Sequence, residues 1–191
     1  MQISDGSLSD QHSSNPEPHT LISLKSLCSS DVTYLPGHES GLGVFISYID
    51  HQARTSFQIQ ATTMIASSPI HAEALSMLLG SCIIQMLKLQ GCKMLSDNLP
   101  LINYIKTYED VAPDWKLRQI KKDIFLNIRN LNVVFEYIKR EENYMADVLA
   151  RTSLSNNSNN STFRCFNRNH LFCCPVKDVL HKFLASLDQV V

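Results

Sequence analysis

Apolar and polar positions change period along this chain, and each change marks an element. Residues 21–31 alternate loosely and run into a turn-rich stretch, Pro36-Gly37-His38-Glu39-Ser40. Residues 41–49 (GLGVFISYI) are β-branched and aromatic, which suits a strand. After a polar turn at 50–54, residues 55–66 alternate again, with Phe57, Ile59, Ala61 and Thr63 on one face. Three strands joined by short turns predict an antiparallel meander. Beyond Ser67-Ser68-Pro69 the period lengthens. Ala74, Leu75, Leu78, Leu79, Cys82, Ile83, Met86 and Leu87 recur at helical spacing across 70–90. Ser68 suits the N-cap, Pro69 the first helical position and Gly91 the stop.

The pattern then alternates between short strands and helices. Residues 92–96 predict a strand that ends at Asp97. A helix follows from 98 or 99 to about 108, with Pro100 tolerated in its first turn. Asp114 caps a helix over 115–129 whose stripe is Leu117, Ile120, Ile124, Phe125 and Ile128. A strand at 132–138 and a helix at 143–154 complete the series. Strands first as a block, then alternating with helices, imply a mixed sheet covered by helices on both faces. That sheet is antiparallel at its start and parallel afterwards.

Three regions follow: a polar tail at 1–20, a domain at 21–154, and 155–191. Within the last, SNNSNNSTF at 155–163 reads as a low-complexity linker, and 176–191 as an amphipathic helix with Val179, Leu180, Phe183, Leu184 and Leu187 on one face. That helix is suited either to docking on the domain or to a protein partner.

Composition narrows the classes. The chain has 191 residues, 44% hydrophobic and 18% charged, which supports a buried core and argues against global disorder. A net charge of -1 gives no whole-chain signal for nucleic acid, so any such surface must be local. Residues 1–20 lack the apolar stretch of a secretory signal, and no run is expected to approach the ~18 apolar residues of a membrane span. These features, with three of the six cysteines (Cys28, Cys82 and Cys92) in apolar segments, predict a reduced intracellular protein of the nucleus or cytoplasm, neither secreted nor membrane-bound. Asn156, Asn159 and Asn160 match a glycosylation pattern that has little meaning without that signal. Cys165, His170, Cys173 and Cys174 do not have the spacing of a regular zinc finger.

Four carboxylates carry the candidate chemistry. Asp31 and Asp97 stand at the ends of predicted strands, while Glu73 (His71-Ala72-Glu73-Ala74-Leu75) and Asp147 (Ala146-Asp147-Val148-Leu149-Ala150) lie in predicted helices. Taken singly, an acid on a helix is ordinarily solvated and idle. As a cluster they would stay ionised together only with cations between them. Hard oxygen ligands in that number suit Mg²⁺ or Mn²⁺, and two such ions suit phosphodiester hydrolysis. Asp5-Gly6-Ser7 has a similar look, but no apolar strand precedes it. Lys116, Arg118, Lys121, Lys122 and Arg129 form a basic stretch on one helix, and Lys139-Arg140 lies in the last loop. Each is either a solvated face or a phosphate track. Trp115 fits packing better than base stacking, and His71 fits a helix start better than a ligand.

These residues together resemble a type-1 ribonuclease H domain across about 21–154. More narrowly, the chain is similar to the reverse-transcriptase-like ribonuclease H domains spread through plant genomes by retrotransposons. The resemblance rests on Asp31 followed by Gly41-Leu42-Gly43, on His71-Ala72-Glu73-Ala74-Leu75, on Ser96-Asp97, and on Lys139 to Ala150 (KREENYMADVLA). It implies an α/β, ribonuclease H-like fold with a five-stranded mixed sheet in the order 3-2-1-4-5, strands 1–3 antiparallel, flanked by helices. It also implies catalytic and metal-binding roles for Asp31, Glu73, Asp97 and Asp147, and two Mg²⁺ or Mn²⁺ ions. Asp31 and Asp97 would contact the metals most directly, and Glu73 would lie near the attacking water and the 2′-OH. The implied reaction cuts the RNA strand of an RNA–DNA hybrid, leaving 5′-phosphate and 3′-hydroxyl ends. Lys116, Arg118, Lys122, Lys139 and Arg140 would bind the duplex, and the chain would act as a monomer.

The chain departs from the pattern at three places. The connection at 109–113 is too short for the basic helical protrusion of some bacterial members. Val32-Thr33 replaces the usual pair of small residues after the first acid. Residues 139–144 lack a histidine that some members use in product release, which implies slower turnover. The rival reading is a catalytically silent, transposon-derived module that binds nucleic acid or protein.

Overall fold

The computed structural model of the chain describes residues 26–50, 53–63, 66–107, 114–155, 162–165 and 183. The predicted tail at 1–20, the connection at 109–113 and most of 166–191 lie outside them.

The meander is present as β1 (Leu27–Thr33), β2 (Ser40–Asp50) and β3 (Ala53–Thr63), paired antiparallel throughout. The period-2 alternation of β3 buries Thr55, Phe57, Ile59, Ala61 and Thr63, as its sequence predicts. β4 (Lys93–Ser96) runs parallel to β1, and β5 (Val134–Tyr137) parallel to β4. These five strands have the expected order 3-2-1-4-5. A sixth, β6 (Thr162–Cys165), adds antiparallel to the outer edge of β3. The linker expected at 155–163 therefore gives way to a strand at its end. A short β-branched and aromatic segment can pair with an open edge that its own polar neighbourhood does not advertise.

Helix α1 (Pro69–Leu87) packs on β1, β2 and β4, and α4 (Tyr144–Ser155) on β2, β1 and β3. The pleat of β2 separates the two layers: Val44 lies beside Gly80 of α1, while Gly41 and Gly43 lie against the backbone of α4. A Cβ at Gly43 would collide with the Ala146 carbonyl and come within 2.5 Å of the Ala150 nitrogen, so only glycine admits α4 this closely. The expected Gly-x-Gly strand start has this packing as its reason.

α1 starts as its sequence predicts, with Ser68 Oγ accepting from the His71 N–H and Pro69 in the first turn. It stops earlier than expected. Lys88, not Gly91, takes the left-handed conformation (φ 52°), and the Leu89 N–H closes the end on the Ile84 carbonyl at 3.1 Å. Gly91 (φ 63°) belongs to the next turn, where its N–H donates to Leu131 O at 2.8 Å. By length and composition α1 could cross a membrane, contrary to the expectation that no run comes near that length. However, 67% of that window is buried inside the domain, against the sheet and its neighbouring helices. It is the core helix, hence apolar nearly all round.

α2 (Leu99–Lys106) is capped by Asn98, whose Oδ1 accepts from the Leu101 N–H at 2.9 Å. α3 (Trp115–Asn127) is capped by Asp114 and buries Leu117, Ile120 and Ile124 toward α1. Phe125 falls outside that stripe and is 43% exposed, its ring leaning on Phe135 at 5.8 Å. β5 is shorter than the expected 132–138 because Asn130 and Asn132 turn through positive φ before it. A 3₁₀ turn (Arg140–Asn143) then leads into α4. Phe183 of the expected C-terminal helix is helical and 5% exposed within the core.

Candidate metal centre

Three of the four acids meet. Asp31 lies in β1 opposite Gly43, Asp97 directly follows β4, and Glu73 lies in the first half of α1. Because β1 and β4 are parallel neighbours, they deliver their acids at the same end of the sheet, where α1 crosses. One carboxylate oxygen from each lies within 4.8 Å of the other two.

Nothing among the described residues neutralises this cluster fully. Burial, then the charge of Asp97, pushes the Asp31 carboxyl up to about 7, against the Val32 N–H that donates to Oδ1 at 2.8 Å. Burial, then Asp31 and Asp97, pushes Glu73 up to about 9, opposed by Arg140 and a hydrogen bond with Asn98. Asp31 Oδ2 and Glu73 Oε2 are shielded from solvent and have no hydrogen-bond partner. Buried carboxylate oxygens that face one another without donors fit a hard divalent cation such as Mg²⁺ or Mn²⁺.

The fourth acid stands beside the cluster but is otherwise engaged. Asp147, in the first turn of α4, is close enough for its charge to act on Asp31. Its Oδ2 lies 2.7 Å from Arg151 Nη2. Its Oδ1 accepts from Arg151 Nη2 at 2.9 Å, from Arg151 Nε at 3.1 Å and from Arg140 Nη2 at 3.4 Å.

Arg140 thus lies at the site, since its charge also acts on Asp31 and Glu73. Lys139, at the N-cap of the same 3₁₀ turn, is exposed. Lys116, Arg118 and Lys122 lie apart on α3, where Arg118 and Lys122 are exposed and line an open hollow of about 480 Å³ with Trp115, Gln119, Lys121 and Phe125. Lys121 is committed internally: its Nζ donates to the carbonyls of Tyr104 at 3.1 Å and Thr107 at 2.6 Å, at the end of α2. Trp115 is 60% exposed, which overturns the expectation that it packs inward. His71 is a helix-start residue as expected, its Nδ1 accepting from the Ser67 N–H at 3.1 Å.

Sequence reading passes over three residues that build the site. Asn143 is buried, and its Nδ2 donates to Ser30 O at 3.0 Å and to Asp97 Oδ1 at 3.1 Å, joining the approach to α4 to both strands that carry acids. Asn98 caps α2 and bonds Glu73. Arg151 lies at i+4 from Asp147, and that spacing is a legible signal for a helical ion pair. Asn143 offers no comparable signal, because its partners are remote in sequence.

A family profile described as reverse transcriptase-like matches residues 31–153, a span that begins at Asp31 and includes Asp147. Comparison with curated protein sequences gives no match. Among solved structures, the N-terminal RNase H domain of rv2228c from Mycobacterium tuberculosis superposes with a TM-score of 0.59 at 17% identity, over 70% of this chain and 95% of that one. RNase H1 of the halophilic archaeon Halobacterium salinarum gives 0.51 at 15%, over 69% and 98%. LC11-RNase H1 in complex with an RNA/DNA hybrid, from a protein isolated from compost by metagenomics, gives 0.53 at 20%, over 69% and 97%. At these identities the likeness defines the fold, that of a type-1 ribonuclease H domain. The family match covers most of the chain, and the protein belongs to the reverse transcriptase-like family.

Proposed function

We propose that this protein is a metal-dependent endoribonuclease that cuts the RNA strand of RNA–DNA hybrids. The observation that carries the reading is the group formed by Asp31, Glu73 and Asp97, within 4.8 Å of one another and with two buried oxygens lacking donors. The hybrid bound by LC11-RNase H1, a protein of the same fold, supports the substrate class.

Asp31, Glu73 and Asp97, joined by Asp147, would hold two Mg²⁺ or Mn²⁺ ions, whose Lewis acidity activates a water and stabilises the leaving 3′ oxygen. Asp31 and Asp97 project from a rigid parallel strand pair, which fixes their spacing before substrate arrives. Asn143 holds the Asp97 carboxylate in place through its Nδ2. Glu73 faces the RNA 2′-OH in this reading and so separates RNA from DNA at the cut. Arg140 and Lys139 beside the acids, with Lys116, Arg118 and Lys122 on α3, neutralise backbone phosphates. Cleavage leaves 5′-phosphate and 3′-hydroxyl ends. The protein acts as a monomer inside the cell, in the nucleus or cytoplasm, where such hybrids arise.

The pairing of Asp147 with two arginines favours a second reading, a silent module that binds hybrids without cutting them. One experiment separates the two. The purified chain and its Asp97→Asn variant are incubated with a labelled hybrid, with Mg²⁺, Mn²⁺ or EDTA. Metal-dependent cutting of the RNA strand that is lost in the variant, while hybrid affinity persists, is the expected result. Binding without cutting in either metal establishes the silent module.

A further inference from the structure

Charge is unevenly compensated at this site. Asp31, Glu73 and Asp97 share one close group, and two of their oxygens are buried without donors. Asp147, by contrast, is satisfied at both oxygens. The Arg151 guanidinium reaches Oδ2 at 2.7 Å and Oδ1 at 2.9 Å, and Arg140 Nη2 adds a contact at 3.4 Å. The Asp147 side chain is only 13% exposed, whereas the Arg151 and Arg140 side chains that hold it are 61% and 70% exposed. A cation that used Asp147 would compete with charge-assisted hydrogen bonds and sit beside two guanidinium groups. A cation among the other three acids meets two buried oxygens without donors, although the Arg140 charge acts on Asp31 and Glu73 as well.

From this we infer that Arg151, assisted by Arg140, withholds Asp147 and makes the second metal position conditional on higher metal concentration. The two arginines are positioning residues that set metal stoichiometry. The free protein fills the group of Asp31, Glu73 and Asp97 first, and Asp147 becomes a ligand only when the guanidinium groups release it. Arg151 is the tighter partner, and Arg140, 70% exposed with one longer contact, is the looser. The inference rests on the metal-dependent reading above, but its test needs no catalysis.

Mn²⁺ is titrated into the full chain without nucleic acid, by calorimetry and by electron paramagnetic resonance, which reports spin coupling between adjacent Mn²⁺ ions. The unsubstituted chain should bind one ion well before the second. Arg151→Gln should tighten the second ion by roughly 2- to 5-fold and leave the first unchanged, with the spin-coupled signal appearing at lower Mn²⁺. Arg151→Lys, which keeps the charge but loses the fork, should fall between. Arg140→Gln, on an exposed turn, gives a smaller shift in the same direction and serves if Arg151→Gln disturbs folding. Asp147→Asn should remove the second ion and spare the first. Two ions of equal affinity in the unsubstituted chain, or unchanged isotherms in both arginine variants, overturn the inference while the metal-dependent reading stands. A folded chain that binds no Mn²⁺ overturns both.

Discussion

At the scale of single residues, burial and neighbouring charge make Asp31 and Glu73 hold on to their protons. Asp31 and Glu73 are held up to about 7 and about 9, so the folded chain retains protons that the unfolded chain has already released at those pH values. Where the folded state binds more protons, stability falls as pH rises. The metal-free melting temperature should therefore drop from about pH 5 to about pH 9, through the Asp31 and then the Glu73 range. Mg²⁺ competes with those protons, so millimolar Mg²⁺ should flatten the slope and its apparent affinity should rise over the same window. A melting temperature in EDTA that stays flat or climbs across this range contradicts the description of the cluster. Asn143 makes a second case. Asn143→Ala removes the buried donor shared by Ser30 O and Asp97 Oδ1, at a cost of about 1–3 kcal/mol. Thermal melts and single-turnover cleavage measured together should show a loss in both, because Asp97 loses its orientation along with the bond. The meeting of Asp31, Glu73 and Asp97 is legible in the sequence because strand ends and a helix start frame them, whereas the arginine pairing of Asp147 is not part of that reading. Asn143 is not legible, since a polar side chain in a KREENYMAD run becomes a tie only once β1 and β4 are side by side.

At the scale of elements, periodicity carries most of the fold. β3 is read correctly because every second residue is buried, and α3 because Leu117, Ile120 and Ile124 follow one face. Boundaries fail where backbone geometry is decided by contact rather than composition. Lys88 takes the left-handed position that Gly91 would occupy more cheaply, because the chain must turn at that point to place Leu89 in the core. β6 fails for a related reason: four residues in a Ser/Asn-rich stretch become a strand only beside the free edge of β3. Gly43 tests how tightly elements fix the site. Gly43→Ala drives a methyl into the backbone of α4 and should cost about 1–3 kcal/mol. It should also shift α4, which carries Asp147, and so weaken the second metal ion more than the first. Equal weakening of both ions would mean that the strain is spread through the sheet rather than confined to α4.

At the scale of the whole molecule, the site and the scaffold draw on different parts of the chain. The parallel pair β1 and β4 sets two acids at one end of the sheet, a place where α/β folds commonly hold their chemistry. The family match ends at residue 153, yet β6 and Phe183 lie beyond it and join the sheet and the core. Of the two roles left open for the expected C-terminal helix, of which only Phe183 is among the described residues, the burial of that residue favours docking on the domain. Removing its ring should leave a cavity and cost about 3–5 kcal/mol, which lowers the melting temperature by many degrees in a domain of this size. The acids lie on β1, α1, α4 and the end of β4, so below the transition Phe183→Ala should cleave hybrid at a rate near that of the unsubstituted chain. A helix whose apolar face served a partner would behave in the opposite way, because an exposed phenylalanine adds little to the stability of the free chain. Melting curves with cleavage rates taken well below the midpoint therefore decide whether residues beyond the family match hold the fold together or only extend from it.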